Sequence, residues 1–255
     1  MSVVGKVVLV AGASRGMGLA MGQHLARAGA RVLLAARSMD KLREHADELR
    51  AEGLQAEAFS LDIADPASID ALARELPDLD VLINVAGTNI RKRFQDYTPE
   101  EYQHILQTNL HGFVRLTQKV GAAMIARGKG GKIINIGSLT SLLGFPYLAI
   151  YGISKSAIAG MTRTLAAEWG KYNIQVNCIA PGFIITDLNR EMWKAPEMHA
   201  WMKASQANPR AGTPEDVAPL AVFLSGSGSD YITGQVIAVD GGFTTTSVWP
   251  FEPQS

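Results

Sequence analysis

Seven short apolar runs separated by stretches of helical spacing govern what this chain can fold into. The runs cover residues 7–11, 31–36, 56–61, 80–84, 132–136, 174–179 and 235–239, and the helical stretches cover 19–28, 39–52, 66–75, 99–127, 151–172 and 214–224. The first two runs, 7–11 and 31–36, are apolar almost throughout, which suits strands covered on both faces. A helix between consecutive strands in turn demands parallel pairing through right-handed crossovers. The expected fold class is therefore α/β, a doubly wound parallel sheet of about seven strands with helices on both faces. No linker, repeat or low-complexity stretch interrupts the pattern, so residues 1–255 read as one domain. In such sheets ligands bind at the carboxyl edge of the strands. The loops after Ala11, Ala36, Leu61, Asn84, Ile136 and Ala180 are thus expected to converge on the chemistry.

Composition removes several alternatives. Hydrophobic residues make up 47% of the 255, enough to fill a core on both faces of a sheet. Lysine plus arginine equals aspartate plus glutamate at 24 each, so no net field draws the molecule to nucleic acid or anionic lipid. The first strand starts close to the N-terminus and no apolar run approaches membrane-spanning length, which predicts a cytoplasmic protein. The single cysteine, Cys178, falls inside a predicted strand and excludes an internal disulfide. Histidines 24, 45, 104, 111 and 199 share no ligand spacing, and no metal is expected.

Residues 11–18 read Ala-Gly-Ala-Ser-Arg-Gly-Met-Gly at the junction of the first strand and first helix. Gly12 permits a tight turn, Gly16 lets the backbone approach a pyrophosphate, and Gly18 allows close helix packing; the helix start offers free amides to the anion. Ser14, Arg15 and Met17 lie within the same turn. The second strand ends Ala35-Ala36-Arg37-Ser38 without the carboxylate that would bind a ribose 2′-hydroxyl. Arg37 and Arg15 instead offer guanidinium groups suited to a 2′-phosphate, so NADP is expected, with NAD as the alternative.

Tyr151 and Lys155 stand four apart on one predicted helix, and a nearby ammonium lowers the pKa of a phenol. Ser138 follows the strand 132–136 and is placed to bond the same substrate oxygen. Asn109 falls in the middle of the long predicted helix 99–127, where a polar side chain implies solvent exposure or backbone bonding.

Together these motifs resemble the short-chain dehydrogenase/reductase family, whose fold is of the Rossmann type. The resemblance runs through Asn84-Val85-Ala86-Gly87, Asn177-Cys178-Ile179-Ala180-Pro181-Gly182 and Val239-Asp240-Gly241-Gly242. It implies hydride transfer between a nicotinamide and a carbonyl or secondary alcohol, with Tyr151 as acid/base, Lys155 lowering its pKa, Ser138 orienting the oxygen and Asn109 holding a relay water. It also implies that Asp62, with Ile63, meets adenine and that Asn84, Ala86 and Gly87 line the cofactor. Pro181, Gly182, Ile184 and Thr186 would border the nicotinamide. Val85 departs from the family's second asparagine, which leaves one polar contact to the central strand in question.

Stretches such as 131–141 and 186–189 look closer to the gluconate 5-dehydrogenases, a branch acting on sugar acids. Arg91 matches an arginine of that branch and could grip a carboxylate, although Arg91-Lys92-Arg93 could equally be a solvated basic loop. Thr140 and Trp193 are further candidates for the substrate pocket, Trp193 from an irregular segment at about 183–212 expected to form a lid. Trp201 is expected to pack. The resemblance also implies a homotetramer or homodimer, and the apolar content of the tail 243–255 suggests that it crosses to a neighbour, a loose terminus being the alternative. A ketone such as a 3-oxoacyl thioester, or a nucleotide sensor without catalysis, are the competing readings.

Overall fold

The computed structural model describes residues 2–186 and 189–245, a seven-stranded sheet with strand order β3-β2-β1-β4-β5-β6-β7. The strands are β1 (Val7–Ala11), β2 (Arg31–Ala36), β3 (Ala56–Ser60), β4 (Val81–Asn84), β5 (Gly131–Ile136), β6 (Ile174–Pro181) and β7 (Val236–Val239). Every pairing is parallel. Helices α1 (Gly16–Arg27), α2 (Met39–Ala51), α3 (Pro66–Glu75), α4 (Pro99–Leu106), α5 (Gly112–Arg127), α6 (Ala149–Trp169), α7 (Pro196–Ser205) and α8 (Pro214–Ser225) fill the crossovers and the lid segment.

The unbroken apolar runs are explained by two cores. Along β1, Val8 and Val10 face α1, α2 and α8 while Leu9 and Ala11 face α3, α5 and α6, and β2 repeats this with Val32 and Leu34 against Leu33 and Ala35. Cys178 lies wholly buried within β6, as its apolar neighbours imply, and burial pushes its thiol up to about 11. The order of strands reverses between β1 and β4, and the crevice above that reversal receives the loops after β1, β4 and β5.

Two expectations about elements are corrected. The stretch 99–127 is not one α-helix: α4 and α5 are joined by a π-helical turn, Gln107–His111. A Cβ on Gly112 would overlap the Ile63 carbonyl oxygen, so α5 starts against the loop after β3. Asn109 lies on this wide turn and is fully buried, so of the two expectations for it exposure fails and backbone bonding holds, to Thr88. The segment after β6 is also more regular than its prolines suggest, because it contains α7 and a 3₁₀ turn, Met192–Lys194. Its two ends are clamped together by Gly212 N–H to Phe183 O (2.9 Å) and Ile185 N–H to Gly212 O (2.8 Å). Of the expected tail, residues 246–255 lie outside the described residues, as do Asp187 and Leu188 of the lid.

Candidate active site

The glycine turn is built for close approach. Gly12 has φ +108°, and a Cβ there would come within 2.5 Å of the Ala86 nitrogen, so the loops after β1 and β4 touch backbone to backbone. A Cβ on Gly18 would overlap the Gly12 carbonyl oxygen, which locks the first turn of α1 onto the strand end. Gly16, at φ +56°, has more room: the nearest atom to an added Cβ is the Thr186 methyl carbon at 3.6 Å. Arg15 caps α1 with no side-chain hydrogen bond and the first turn carries no acid, so its free amides and positive dipole end are left for an anion. At the end of β2, Arg37 and Ser38 are exposed, and among the described residues neither Arg37 nor Arg15 holds an ion pair. Asp62 shapes the next loop by accepting the Ala64 amide (2.9 Å), and Ile63 is buried behind it.

Asn84 is turned into the sheet, where its amide donates to Thr117 Oγ1 (3.0 Å) and Asn135 Oδ1 (2.9 Å). Asn135 passes the chain on to Thr162 Oγ1 (3.0 Å), while Val85 packs on the apolar core. Side-chain support for the central strands therefore comes from Asn84 and Asn135, and the asparagine that Val85 replaces is not needed for it.

Above these strand ends Ser138, Tyr151, Lys155 and Asn109 come together. Ser138 caps a 3₁₀ turn, Leu139–Ser141, its hydroxyl accepting the Thr140 amide (3.2 Å) and standing close enough to Tyr151 to favour its phenolate. Lys155 is buried and donates to the Ile136 carbonyl (2.8 Å); its ammonium lies 5.7 Å from the Tyr151 ring centre and 5.5 Å from that of Phe113. A Cβ on Gly87 would stand 3.7 Å from Lys155 Nζ and 3.6 Å from Asn109 Oδ1, so this loop closes over both. Asn109 brackets Thr88, accepting its N–H and donating to its carbonyl, both at 2.8 Å.

Burial raises the Tyr151 phenol above its ordinary 10, opposed by the Ser138 hydroxyl and by the charge of Arg91. Burial also lowers Lys155 to about 8. Arg91 is thus one cation acting on the phenol, while the Lys155 ammonium, held by the Ile136 carbonyl, stands 5.7 Å from the centre of the same ring.

The basic run 91–93 is divided in its roles. Lys92 pairs with Glu101 (2.9 Å), whereas Arg91 reaches the lid and donates to Met192 Sδ (3.1 Å). Trp193, beside it, is 5% exposed and meets Phe183 edge-on at 5.7 Å. Trp201 packs on Phe183 (4.9 Å) and Phe243 (5.7 Å) with part of its ring exposed. Pro181 ends β6, Gly182 lies flat against Asp240, and Ile184 bridges to Gly212. Sequence reasoning missed Ser154, whose buried hydroxyl accepts from Asn109 Nδ2 (3.2 Å) and donates to the Tyr151 carbonyl (2.7 Å). A serine inside a helix carries no signal of such a role.

A doubly wound sheet with this glycine turn and a serine, tyrosine and lysine converging beside it defines an oxidoreductase that uses a nicotinamide cofactor. Residues 12–244 match the family model described as "Enoyl-(Acyl carrier protein) reductase". A gluconate 5-dehydrogenase from Gluconobacter oxydans is 36% identical over 96% of this chain and 97% of its own. A tropinone reductase homologue from Arabidopsis thaliana is 37% identical, covering 95% of this chain and 94% of that one. The crystal structure of a gluconate 5-dehydrogenase from Burkholderia cenocepacia in complex with NADP and tartrate superposes with a TM-score of 0.90 at 34% identity, covering 96% of this chain and 97% of that one. The chain belongs to the short-chain dehydrogenase/reductase family, as its motifs led us to expect.

Proposed function

We propose that this protein is an NADP-dependent oxidoreductase that interconverts a sugar acid and its keto acid, such as gluconate and 5-keto-gluconate. The single observation that carries the reading is the grouping of Ser138 and Arg91 about Tyr151: an oxygen-orienting hydroxyl and a cation that both act on the acid/base group. The cofactor fits the residues present, because the α1 amides, the backbone contact at Gly12 and the unpaired Arg15 and Arg37 form a cradle for phosphates. Ser14, Gly16 and Met17 would hold the pyrophosphate, Asp62 and Ile63 the adenine, Arg37 and Ser38 the 2′-phosphate, and Ala86, Gly87, Pro181, Gly182, Ile184 and Thr186 the nicotinamide half. NADP when bound supplies or accepts the hydride.

The protein's own residues handle the proton. In reduction the Tyr151 phenol gives its proton to the carbonyl oxygen, which the Ser138 hydroxyl holds by a second hydrogen bond; in oxidation the phenolate takes the proton back from the alcohol. Lys155, with Asn109 beside it, returns the proton between Tyr151 and solvent through ordered water. Arg91 holds the carboxylate end of the substrate, with the lid segment 183–212 closing over it.

Two experiments test the binding assignments. Arg37→Asp places a carboxylate where the phosphate would sit, and the NADP/NAD ratio of kcat/KM is expected to fall by roughly 100-fold, the worth of a charge-assisted pair turned into a repulsion. An unchanged ratio removes Arg37 from cofactor choice. Arg91→Ala is expected to raise KM for carboxylated substrates by roughly 10- to 100-fold and for neutral ketones much less; equal changes reject the carboxylate role. The description of the matching family model supports a second reading, reduction of an acyl thioester, and the Arg91→Ala comparison separates the two. Self-association into a tetramer or dimer belongs to the same reading and is carried by the family resemblance. Among the described residues no helix is long and apolar enough to cross a membrane.

A further inference from the structure

Buried hydroxyls in this protein are satisfied almost everywhere. Thr162 and Ser225 each return the hydroxyl to the carbonyl four residues back in their helix (2.9 and 2.7 Å). Thr140 has no such recourse, because it stands in a single 3₁₀ turn. Its amide is taken by Ser138 Oγ (3.2 Å) and its carbonyl by Ser156 Oγ (3.1 Å), while its own hydroxyl is buried without a partner. Gly152, next to Tyr151, faces it: a Cβ there would lie 3.8 Å from the Thr140 Cβ.

Trp193 repeats the situation from the lid. Its N–H meets the Asn189 carbonyl (3.3 Å) and its carbonyl meets His199 Nε2 (2.7 Å), yet its indole N–H is buried without a partner. The preceding residue, Met192, is the one that receives Arg91. The other unpartnered atoms among the described residues stand elsewhere: Asp70, Arg115 and Arg127 belong to residues already in ion pairs, Asn84 lies inside the sheet, and Gln206 at the foot of the lid. Thr140 and Trp193 are therefore the two with sequence neighbours, Ser138 and Met192, that touch the Tyr151–Arg91 group.

We propose that Thr140 and Trp193 bind hydroxyl groups on the substrate carbons flanking the reacting carbonyl, which makes the site selective for polyhydroxylated keto acids over plain keto acids. Carbonyl reduction alone needs only Tyr151 and Ser138, and a carboxylate needs only Arg91. Two further buried polar atoms are surplus to that set. A threonine hydroxyl can both donate and accept, and an indole N–H only donates, so between them they match two hydroxyls, one as donor to its oxygen. A substrate lacking those hydroxyls leaves both atoms buried and unpaired, which is how a polar site rejects a deoxygenated analogue.

The inference rests on the sugar-acid reading, and one pair of substrates separates the two. 5-Keto-gluconate and 5-oxohexanoate share the carboxylate and the ketone at carbon 5, and only the first has hydroxyls beside the ketone. With NADPH, wild-type kcat/KM is expected to favour 5-keto-gluconate by at least roughly 10-fold. Thr140→Val, which keeps the volume, and Trp193→Phe, which keeps an aromatic ring but is smaller, are each expected to lower kcat/KM for 5-keto-gluconate roughly 10-fold, mainly through KM, and to leave 5-oxohexanoate within about twofold. Thr140→Ser is expected to restore the loss. Equal activity of the wild type on both acids, or equal losses on both in the variants, overturns the hydroxyl assignment and leaves the carboxylate reading standing. Wild type that reduces neither acid overturns both.

Discussion

Tyr151→Phe is expected to lower kcat by about 10²- to 10⁴-fold while leaving NADPH affinity and the melting temperature near wild type. The substitution removes one oxygen and nothing from the packing, and the lost partner, Ser138, keeps its bond to the Thr140 amide. The pH dependence follows from burial. With the phenol held above its ordinary 10, its neutral form dominates at neutral pH, so ketone reduction, which consumes that proton, stays level from about pH 6 to 9. Alcohol oxidation needs the phenolate, and its rate climbs with pH over the same range. Since the Arg91 charge lowers the phenol, Arg91→Ala is expected to move the oxidation profile to higher pH. Stopped-flow and steady-state rates in both directions check this; turnover of Tyr151→Phe within tenfold of wild type would remove the tyrosine from the mechanism.

Gly18→Ala carries the second large effect, and it is an effect on the fold as well as the site. The new methyl would overlap the Gly12 carbonyl oxygen, a backbone atom that cannot rotate away, so α1 must separate from the end of β1. Overpacking against backbone costs about 3 kcal/mol or more, which for a chain of this size lowers the melting temperature by about 6 °C or more. NADPH binding is expected to fall with it, because the same amides form the phosphate cradle. Gly16→Ala makes the contrast: the nearest atom is 3.6 Å away, so stability drops by only about 1 kcal/mol for the positive φ, while the methyl stands where a pyrophosphate would approach. Thermal melts and fluorescence titration with NADPH distinguish the two, and equal stability losses in both variants would contradict the packing described here.

Much of this follows from local pattern. The seven predicted strands match the observed ones to within one or two residues, since strands covered on both faces are mostly apolar and short beside the helices between them. The four-residue interval between Tyr151 and Lys155 places both on one side of α6 because a helix repeats every 3.6 residues. The π turn had no such signature. Gln107–His111 reads as ordinary helix, and the close approach of Gly112 to the Ile63 carbonyl, which follows it, joins residues far apart in sequence. The same holds for Arg91 and Lys92, adjacent and identical in charge, which separate only when Glu101 takes one and the lid takes the other.

By itself, then, the sequence determined the sheet, the glycine turn and the order of the chemical groups, because those depend on periodicity and on neighbours a few residues apart. Tertiary structure decided that Asn109 turns inward, that Arg91 comes within electrostatic reach of the Tyr151 phenol, and that Thr140 and Trp193 keep a buried polar atom without a partner. Each of those depends on which distant atoms reach a side chain once water has been excluded, and burial magnifies charges and unpaired groups that in an open chain would be screened and solvated.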